Sequence, residues 1–322
     1  MNSSKNLVLF FSFFMFLFFV FFLVPHAFAA KDIILAEETS VGIPWWIWPL
    51  SLFVFCFGLG IVAVLAGVGG GVLFVPILGT FFPFHMDFVR GAGLMVALAG
   101  SLSAGPGLLM RNLASLRLCM PMALIASISS IMGAMVGLAL PQNIVRIALG
   151  LVILAICFVL LTSKRSEFPE ITKRDKIAQI LGIHGIYYEI TQRKNINWQI
   201  QNSHIGLVLF FLVGFIAGMF GLGAGWANVA VFNLVLGAPL KISVASSNFL
   251  LSITDTSAAW IYLNNGAVLP IIAVPSVVGM MLGSQVGVRL LALTKPRIVR
   301  WLVIILLSVS GLMSILKGFA II

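Results

Sequence analysis

Gly67-Val68-Gly69-Gly70-Gly71 lies inside an apolar block that runs from about residue 46 to residue 82. Glycine costs roughly 1 kcal/mol relative to alanine in a helix interior, so a run this rich in glycine breaks the helix. Irregular backbone at membrane depth is tolerated only where protein buries it or where it lines a wet cavity. A second run, Gly221-Leu222-Gly223-Ala224-Gly225, interrupts another over-long block at 205–236. Such paired breaks in two halves of a membrane chain indicate a transporter binding site.

The composition excludes an ordinary soluble domain. Hydrophobic residues make up 61% of the chain, charged residues 9%, and the mean hydropathy is +1.15. The net charge of +10 would suggest a nucleic-acid partner in a soluble protein. Here the basic residues cluster in short connections, as the positive-inside rule requires of a membrane protein, so we expect no nucleic acid. The three cysteines lie in apolar blocks without paired spacing, which indicates neither disulfides nor metal ligands.

Residues 1–30 have the features of a targeting segment. Lys5 precedes an apolar run from Leu7 to Val24, and Ala27-Phe28-Ala29 offers a small-x-small cleavage motif. The run is longer than a typical signal peptide, so an uncleaved first membrane anchor is the alternative. Both interpretations place Lys5 inside and residues 31–45 outside.

Eight apolar blocks follow, at 46–82, 89–110, 118–140, 144–162, 205–236, 243–263, 268–293 and 298–316. The long polar stretch between the fourth and fifth blocks divides the chain into an N-terminal transmembrane repeat at 46–162, a cytoplasmic loop at 163–203 and a C-terminal transmembrane repeat at 204–320. Within the loop, a short amphipathic helix around residues 177–188 and a solvated connection are the two alternatives.

Counting basic residues on each side of the membrane separates two topologies. If every block crosses once, eight basic residues lie inside and eleven outside. If the two glycine-broken blocks are hairpins that return to their own side, fifteen lie inside and four outside. The four outside are Lys31, Arg90, Arg146 and Lys317. The positive-inside rule favours the hairpin topology.

The hairpin topology gives each half one hairpin and three crossings, an odd number, so the second half must be inverted relative to the first. An internal repeat agrees with this interpretation: the two glycine runs align, Pro83 aligns with Pro239, and residues 144–146 recur as residues 298–300. The predicted fold is therefore an all-α polytopic membrane protein with two inverted-topology repeats, each a glycine-broken helical hairpin plus three transmembrane helices.

The stretch from Gly67 to Leu78, a glycine-rich turn followed by an apolar run containing Pro76, resembles the first signature of the TauE/SafE family of sulfite and organosulfur-anion exporters. The resemblance covers roughly residues 46–320. The second copy departs from it: Ala224 replaces a glycine, Ala230 stands at the position of Pro76, and Trp226 and Asn228 replace small apolar residues. The resemblance implies export of a small oxyanion, either sulfite or a sulfonate such as sulfoacetate.

The residues themselves also favour an anion. Glycine turns expose backbone N–H groups and helix N-termini, which carry partial positive charge, and they allow close approach to a ligand. The alternative is that these glycines only permit tight helix packing. The polar starts of the helices that follow the two hairpins add side-chain ligands. The candidate substrate-binding residues are Gly67, Gly69, Gly70, Gly71, Arg90, Gly91, Gly221, Gly223, Gly225, Asn228, Ser246, Ser247 and Asn248.

Asp255 is the one ionisable residue well inside a spanning block. Intramembrane ionisable residues are costly and default to functional hypotheses, so Asp255 is a candidate proton-coupling group. The opposing hypothesis is a structural hydrogen bond near the outer interface. Coupling is not required, since an inside-negative potential drives anions outward by about 2.3 kcal/mol per charge per 100 mV.

No catalytic motif accompanies these features. The four histidines share no helix face, and the glycine runs lack the Lys-Ser/Thr of a phosphate-binding loop. We therefore expect no enzyme, no metal and no cofactor. The expected partners are a small anion substrate, the lipid bilayer of the cytoplasmic or inner membrane and, as an open possibility, a second copy in a homodimer. The alternative function is a non-transporting membrane assembly or scaffold protein.

Overall fold

The computed structural model describes residues 46–66, 69–82, 84–109, 114–162, 175–189, 194–290 and 296–319. The prediction of a signal peptide or first anchor at 1–30 lies outside these residues, as does the candidate ligand Gly67. The eight apolar blocks lie within the described residues except for residues 67–68, 110 and 291–293. Residues 163–174 and 190–193 of the predicted cytoplasmic loop also lie outside the described residues.

The first half begins with a broken pair of helices. Its elements are α1 (Ile47–Ala66), α2 (Gly70–Phe81), α3 (Met86–Leu109), α4 (Leu116–Ala139) and α5 (Gln142–Thr162). Gly69 precedes α2 with a φ of 85°, a left-handed conformation that glycine adopts without strain. Ser115 is the N-cap of α4, and its hydroxyl accepts a hydrogen bond from the Leu118 N–H at 3.4 Å. The glycine run thus separates two helices, as the sequence predicts.

The second half repeats this order. After the central connection come α7 (Ser203–Phe220), α8 (Gly225–Ala230), a π-helical segment (Val231–Val235), α9 (Leu240–Asn264), α10 (Pro270–Leu290) and α11 (Pro296–Gly318). The π-helical segment begins immediately after Ala230, the residue that aligns with Pro76 in α2. The short helices that follow the two glycine turns therefore depart from ideal α-helix at aligned positions. Pro76 lacks an N–H donor in α2, and a wider π-helical turn follows Ala230.

The central connection contains a small sheet. Its elements are α6 (Lys176–Ile180) and an antiparallel hairpin of β1 (His184–Glu189) and β2 (Lys194–Gln199), with His184 opposite Gln199. Of the two alternatives for this segment, the amphipathic helix around residues 177–188 is therefore wrong beyond Ile180. Ile183 and Trp198 are buried in one apolar cluster with Phe210 of α7, so the hairpin packs on the helical bundle. Cross-strand pairing and this anchorage favour strands over a helix here.

Several helices are long and apolar enough to cross a bilayer. By length and composition they are Leu116–Ala139, Gln142–Val159, Ser203–Phe220 and Pro270–Gly287. Shorter apolar helices include Ile47–Ala63, Gly70–Phe81 and Gly225–Val235. The hairpin apart, the described fold is that of an all-α polytopic membrane protein.

Two pairs of equivalent helices pack antiparallel. In the pair of α3 and α9, Gly91 at the start of α3 lies against the Ala267 carbonyl just beyond the end of α9. In the pair of α5 and α11, the Cys157 thiol donates to the Ile304 carbonyl at 3.9 Å, and Ser314 donates to the Arg146 carbonyl at 2.9 Å. Because residue numbers rise on one helix as they fall on the other, each helix runs opposite to its counterpart in the other half.

Two further pairs cross between the halves and run parallel. In the pair of α1 and α10, Gly279 lies against Phe53 and Gly283 against Phe57. The pair of α4 and α7 is built in the same way, with Gly214 against Ala126 and Gly218 against Ser130. Each contact brings a glycine against the backbone of its partner helix, the small-residue packing typical of membrane helices.

Substitution of Gly283 by alanine tests the α1–α10 contact. A Cβ at Gly283 would clash with the Phe57 carbonyl oxygen, whereas a Cβ at Gly100 would meet only the flexible end of Met280 at 3.2 Å. Gly283→Ala should therefore lower stability by about 1–3 kcal/mol through overpacking. Gly100→Ala should be neutral or stabilising, because alanine is the better helix former.

Thermal unfolding of the detergent-solubilised chain, followed by gel filtration, measures both variants. Equal melting temperatures for Gly283→Ala and Gly100→Ala would contradict the backbone contact between α1 and α10.

Candidate functional site

The two glycine turns meet inside the bundle. A Cβ placed on Gly71 would clash with the Leu222 carbonyl oxygen and lie 3.1 Å from the Cβ of Ala97. A Cβ on Gly69 would lie 3.9 Å from the Cα of Gly225. The contact is thus between backbones and depends on the absence of side chains.

The second turn is held in a left-handed backbone conformation. Gly221 and Gly223 both have a φ of 67°. A Cβ on Gly221 would also clash with the carbonyl oxygen of Arg90 in α3. Glycine is therefore required at Gly221 by both backbone conformation and space.

The turns lie level with the middle of α3 and α9. A Cβ on Gly223 would lie 2.8 Å from the Cβ of Ala97 and 3.1 Å from Oδ2 of Asp255. On the neighbouring helix α4, the Ser130 hydroxyl donates to the Thr254 carbonyl at 3.2 Å, which holds this part of α9 in place. Oδ2 of Asp255 therefore faces the second turn, and the Thr254 side chain lies within hydrogen-bonding reach of the same carboxyl group.

Three side chains at this turn carry buried polar atoms without a hydrogen-bond partner. The unpartnered atoms are Oδ1 and Nδ2 of Asn228, the indole Nε1 of Trp226 and Oδ2 of Asp255. The side chains of Asn228 and Asp255 are 0% and 1% exposed. We call these three residues the second-turn polar cluster. Buried polar atoms are normally satisfied, so unpartnered ones mark a place where a ligand or water supplies the missing bonds.

Packing brings the cluster together from two segments. Trp226 and Asn228 lie in α8, directly after the turn, and Asp255 lies in α9. Leu251, one helical turn before Asp255, belongs to the same apolar cluster as Ala224 and Ala227. The face of α9 that carries Asp255 is therefore the face that packs against α8.

The first turn has no polar counterpart. Because Gly71 aligns with Gly225, Trp226 and Asn228 align with Val72 and Phe74, which are fully buried and apolar. Both turns are rich in glycine, but apolar side chains follow the first turn and polar side chains follow the second.

The backbone of Arg90 lies against Gly221 at the start of the second turn, and its side chain is engaged by the protein. Its Nη1 donates to the carbonyls of Gly137 and Met219 at 2.9 and 3.0 Å, and its Nη2 donates to Asp87. The guanidinium also lies 5.8 Å from the centre of the Tyr262 ring. These carbonyls belong to the last turns of α4 and α7, where a cation is favoured by the helix dipole.

The serine group lies at the other end of the pair formed by α3 and α9. Ser246 accepts a hydrogen bond from the Ser115 N–H at 3.3 Å, and its carbonyl accepts one from the Cys119 thiol at 3.4 Å. Ser247 is buried beside it, and the Asn248 amide donates to the Val244 carbonyl of its own helix at 3.0 Å. Because α3 and α9 are antiparallel, the structure does not bring these residues to Arg90 and Gly91.

The structure thus brings together part of the predicted set. Gly69, Gly70, Gly71, Gly221, Gly223, Gly225, Asn228 and Asp255 surround the meeting point of the turns. Trp226 was missing from the predicted set, although its departure from the small residue of the family pattern marked it. Within the described residues, no three His, Cys, Asp or Glu side chains lie together as metal ligands would. The arrangement offers N–H donors to a small ligand.

The sequence profile described as "Sulfite exporter TauE/SafE" matches residues 52–314. The chain belongs to the TauE/SafE family. Two relatives agree: "Probable membrane transporter protein YunE" of Bacillus subtilis (strain 168) is 24% identical over 80% of this chain and 94% of its own. "Probable membrane transporter protein ORF9" of Sinorhizobium sp is 25% identical over 79% of this chain and 87% of its own. No solved structure matches significantly.

This TauE/SafE protein is therefore a multi-pass membrane transporter, as both the family and the apolar helices indicate. The family match contains both glycine turns and the second-turn polar cluster.

Two buried asparagines, one in α8 and one in the π-helical segment, allow a ligand-binding role to be distinguished from a structural role. Asn228 has no partner, whereas Nδ2 of Asn233 donates to the Ala238 carbonyl at 2.9 Å. Asn228→Leu should leave stability unchanged or raise it, since it removes an unsatisfied buried amide. Asn233→Leu should cost about 1–3 kcal/mol, since it leaves a carbonyl with one partner fewer.

Thermal unfolding of the purified variants decides between these roles. A loss of stability in Asn228→Leu as large as that in Asn233→Leu would mean that Asn228 has protein partners.

Arg90 offers a second test, through its pair with Asp87. Arg90→Met leaves the Asp87 carboxylate and two helix-end carbonyls without their donor, so it should cost about 3 kcal/mol. The double variant with Asp87→Asn should regain part of that loss, because the unpaired charge is removed as well. The melting temperatures of the two single variants and the double variant measure the coupling, and additive losses would argue against it.

Proposed function

We propose that this chain is a secondary transporter that exports small sulfur-containing anions, sulfite or sulfonates, across the cytoplasmic membrane. The observation that carries the proposal is the second-turn polar cluster, which places unpartnered N–H donors of Asn228 and Trp226 beside a backbone turn in the middle of the bundle. Donors of this kind bind oxyanions without a fixed positive charge.

The chemistry of the site supports the anion class. The N–H groups of Asn228 and Trp226 require acceptors, which the oxygens of a sulfite or sulfonate group supply. The first turn contributes close backbone and the apolar wall of Val72 and Phe74. A small, compact anion fits these features better than a cation, for which the turn offers a single carboxylate and one amide oxygen. The description of the family is the reason for choosing sulfur among the oxyanions.

The directions of the helices support passage through this site. Equivalent helices of the two halves are antiparallel, and the parallel pairs each join one helix from either half. We propose on this basis an inverted-topology repeat, in which the two hairpins enter from opposite faces and meet at the substrate. An inside-negative potential then drives the anion outward, by about 2.3 kcal/mol per charge per 100 mV.

Efflux of labelled sulfite from proteoliposomes under an imposed potential tests the proposal. The wild-type chain should release sulfite faster than empty liposomes, and Gly223→Leu should lower that rate to the empty-liposome level. Gly266→Leu is the matched control, because Gly266 has nearly the same φ of 66° but lies in an exposed turn with nothing within 4 Å. Gly266→Leu should retain export.

Loss of export in both variants would point to backbone strain instead of the site. Absence of sulfite or sulfonate flux in the wild-type chain would retire the proposal and favour the scaffold alternative.

Thiol labelling tests the inverted topology separately. The three native cysteines are buried, and Ile186 on the central hairpin is 69% exposed. A cysteine at Ile186 should react with an impermeant maleimide only after cells are opened, whereas a cysteine at Asn264 should react in intact cells. Labelling of the Ile186 variant in intact cells would overturn the inversion.

A further inference from the structure

We propose that Asp255 acts as a neutral acid that donates a hydrogen bond to the bound anion, so that one anion and one proton occupy the site together. This inference rests on the proposed function and names Asp255 as the group that carries the proton. The carboxyl oxygen Oδ2 of Asp255 is buried, has no hydrogen-bond partner and faces Gly223 in the second glycine turn.

The surroundings of Asp255 contain no compensating cation. The helices packed against α9 are α3, α4, α7 and α8 with its π-helical continuation. Their charged or titratable residues are Asp87, Arg90, Arg117, Cys119 and His204, and α9 itself carries Lys241 and Tyr262. Among the described residues Asp255 forms no salt bridge, and Lys241 lies about four helical turns away on the same helix. The guanidinium of Arg90 is bound to Asp87 and two carbonyls.

An ionised Asp255 would therefore be costly both without and with substrate. Without substrate, a carboxylate with no cation beside it and only the Thr254 side chain to bond it carries a desolvation penalty that exceeds this compensation. With substrate, the carboxylate would repel an anion held at the same turn. A proton on Oδ2 removes both costs and adds an O–H donor to the N–H donors of Asn228 and Trp226.

The donor set then matches an oxyanion. Asn228 in α8 and Asp255 in α9 both carry buried, unpartnered polar atoms on segments that pack together after the second glycine turn, so the Asn228 amide and a protonated Asp255 both offer donors there. The first half offers no equivalent, since Ala99 stands nine residues after Arg90 where Asp255 stands nine residues after Ser246. A single proton therefore accompanies each anion. A dianion bound with one proton still carries one net negative charge, so an inside-negative potential continues to favour its export.

The test measures binding of labelled sulfite to the full chain in lipid nanodiscs, from neutral to alkaline pH. It compares the wild type with Asp255→Asn, whose amide keeps a donor but cannot titrate. Thr256→Val is the control, because the exposed Thr256 donates only to the Ser252 carbonyl at 2.6 Å. The titration of sulfite itself is common to all three proteins and cancels in the comparison.

We expect wild-type affinity to fall more steeply with pH than that of Asp255→Asn, by about tenfold per pH unit once Asp255 titrates. Thr256→Val should follow the wild type. Identical pH profiles for the wild type and a folded, sulfite-binding Asp255→Asn would overturn the inference and leave the proposed function intact. Absence of both sulfite binding and sulfite flux in the wild type would instead retire the proposed function.

A measurement on the wild type covers the case in which Asp255→Asn does not fold. Calorimetry in two buffers of different ionisation heat counts the protons taken up when sulfite binds. The measurement is made at an alkaline pH where free sulfite is deprotonated and wild-type affinity falls about tenfold per pH unit, so that Asp255 of the free protein has lost its proton. There we expect close to one proton per anion, and no uptake at that pH would overturn the inference.

Discussion

The structure depends on a close approach of two backbones. Gly71 lies against the Leu222 carbonyl, and Gly69 lies beside Gly225, in the middle of the helical bundle. Any side chain at Gly71 would separate the turns, and with them the short arms that they begin. Residues 70–80 of α2 are all buried, and most of their apolar side chains belong to the main apolar cluster, so the first turn is tightly surrounded by protein. Contact between glycines therefore decides both the position of the arms and the size of the space between them.

The two halves share this backbone but divide the chemistry. The first half contributes a turn followed by buried apolar side chains, and the second contributes Trp226, Asn228 and Asp255. A repeat of helices can be copied without copying its ligands, because packing depends on shape while binding depends on a few polar atoms. In the proposed transporter, the first turn would therefore act mainly as a wall and the second as the binding surface.

Several buried polar side chains outside the second-turn polar cluster bond backbone groups near the ends of helices. Arg90 joins the ends of α4 and α7 through their carbonyls, and Tyr262 donates to the Gly218 and Met219 carbonyls at 3.0 and 3.2 Å. At the opposite end, Ser246 joins α9 to the start of α4. Helix ends have unsatisfied backbone groups, and a membrane offers no water to bond them, so buried side chains take that role.

The sequence by itself determined the elements. Apolar length set the eight blocks, and the glycine runs set where two of them break, because both effects are local and act on consecutive residues. The same local information identified Asn228 and Asp255 as unusual, since polar groups at membrane depth are costly wherever they fall. What it did not contain was the strand pairing in the central connection, which depends on cross-strand contacts and on burial of Trp198.

Only the tertiary structure decided which candidates meet. Arg90 and Ser246 occupy equivalent places in the two repeats, yet the antiparallel packing of α3 and α9 puts them at opposite ends. Asp255, about two and a half helical turns beyond Ser246, comes to the centre and faces the second turn. Proximity between distant segments follows from helix direction and crossing, which no local pattern encodes, and this is why the polar cluster emerged from the fold rather than from the chain.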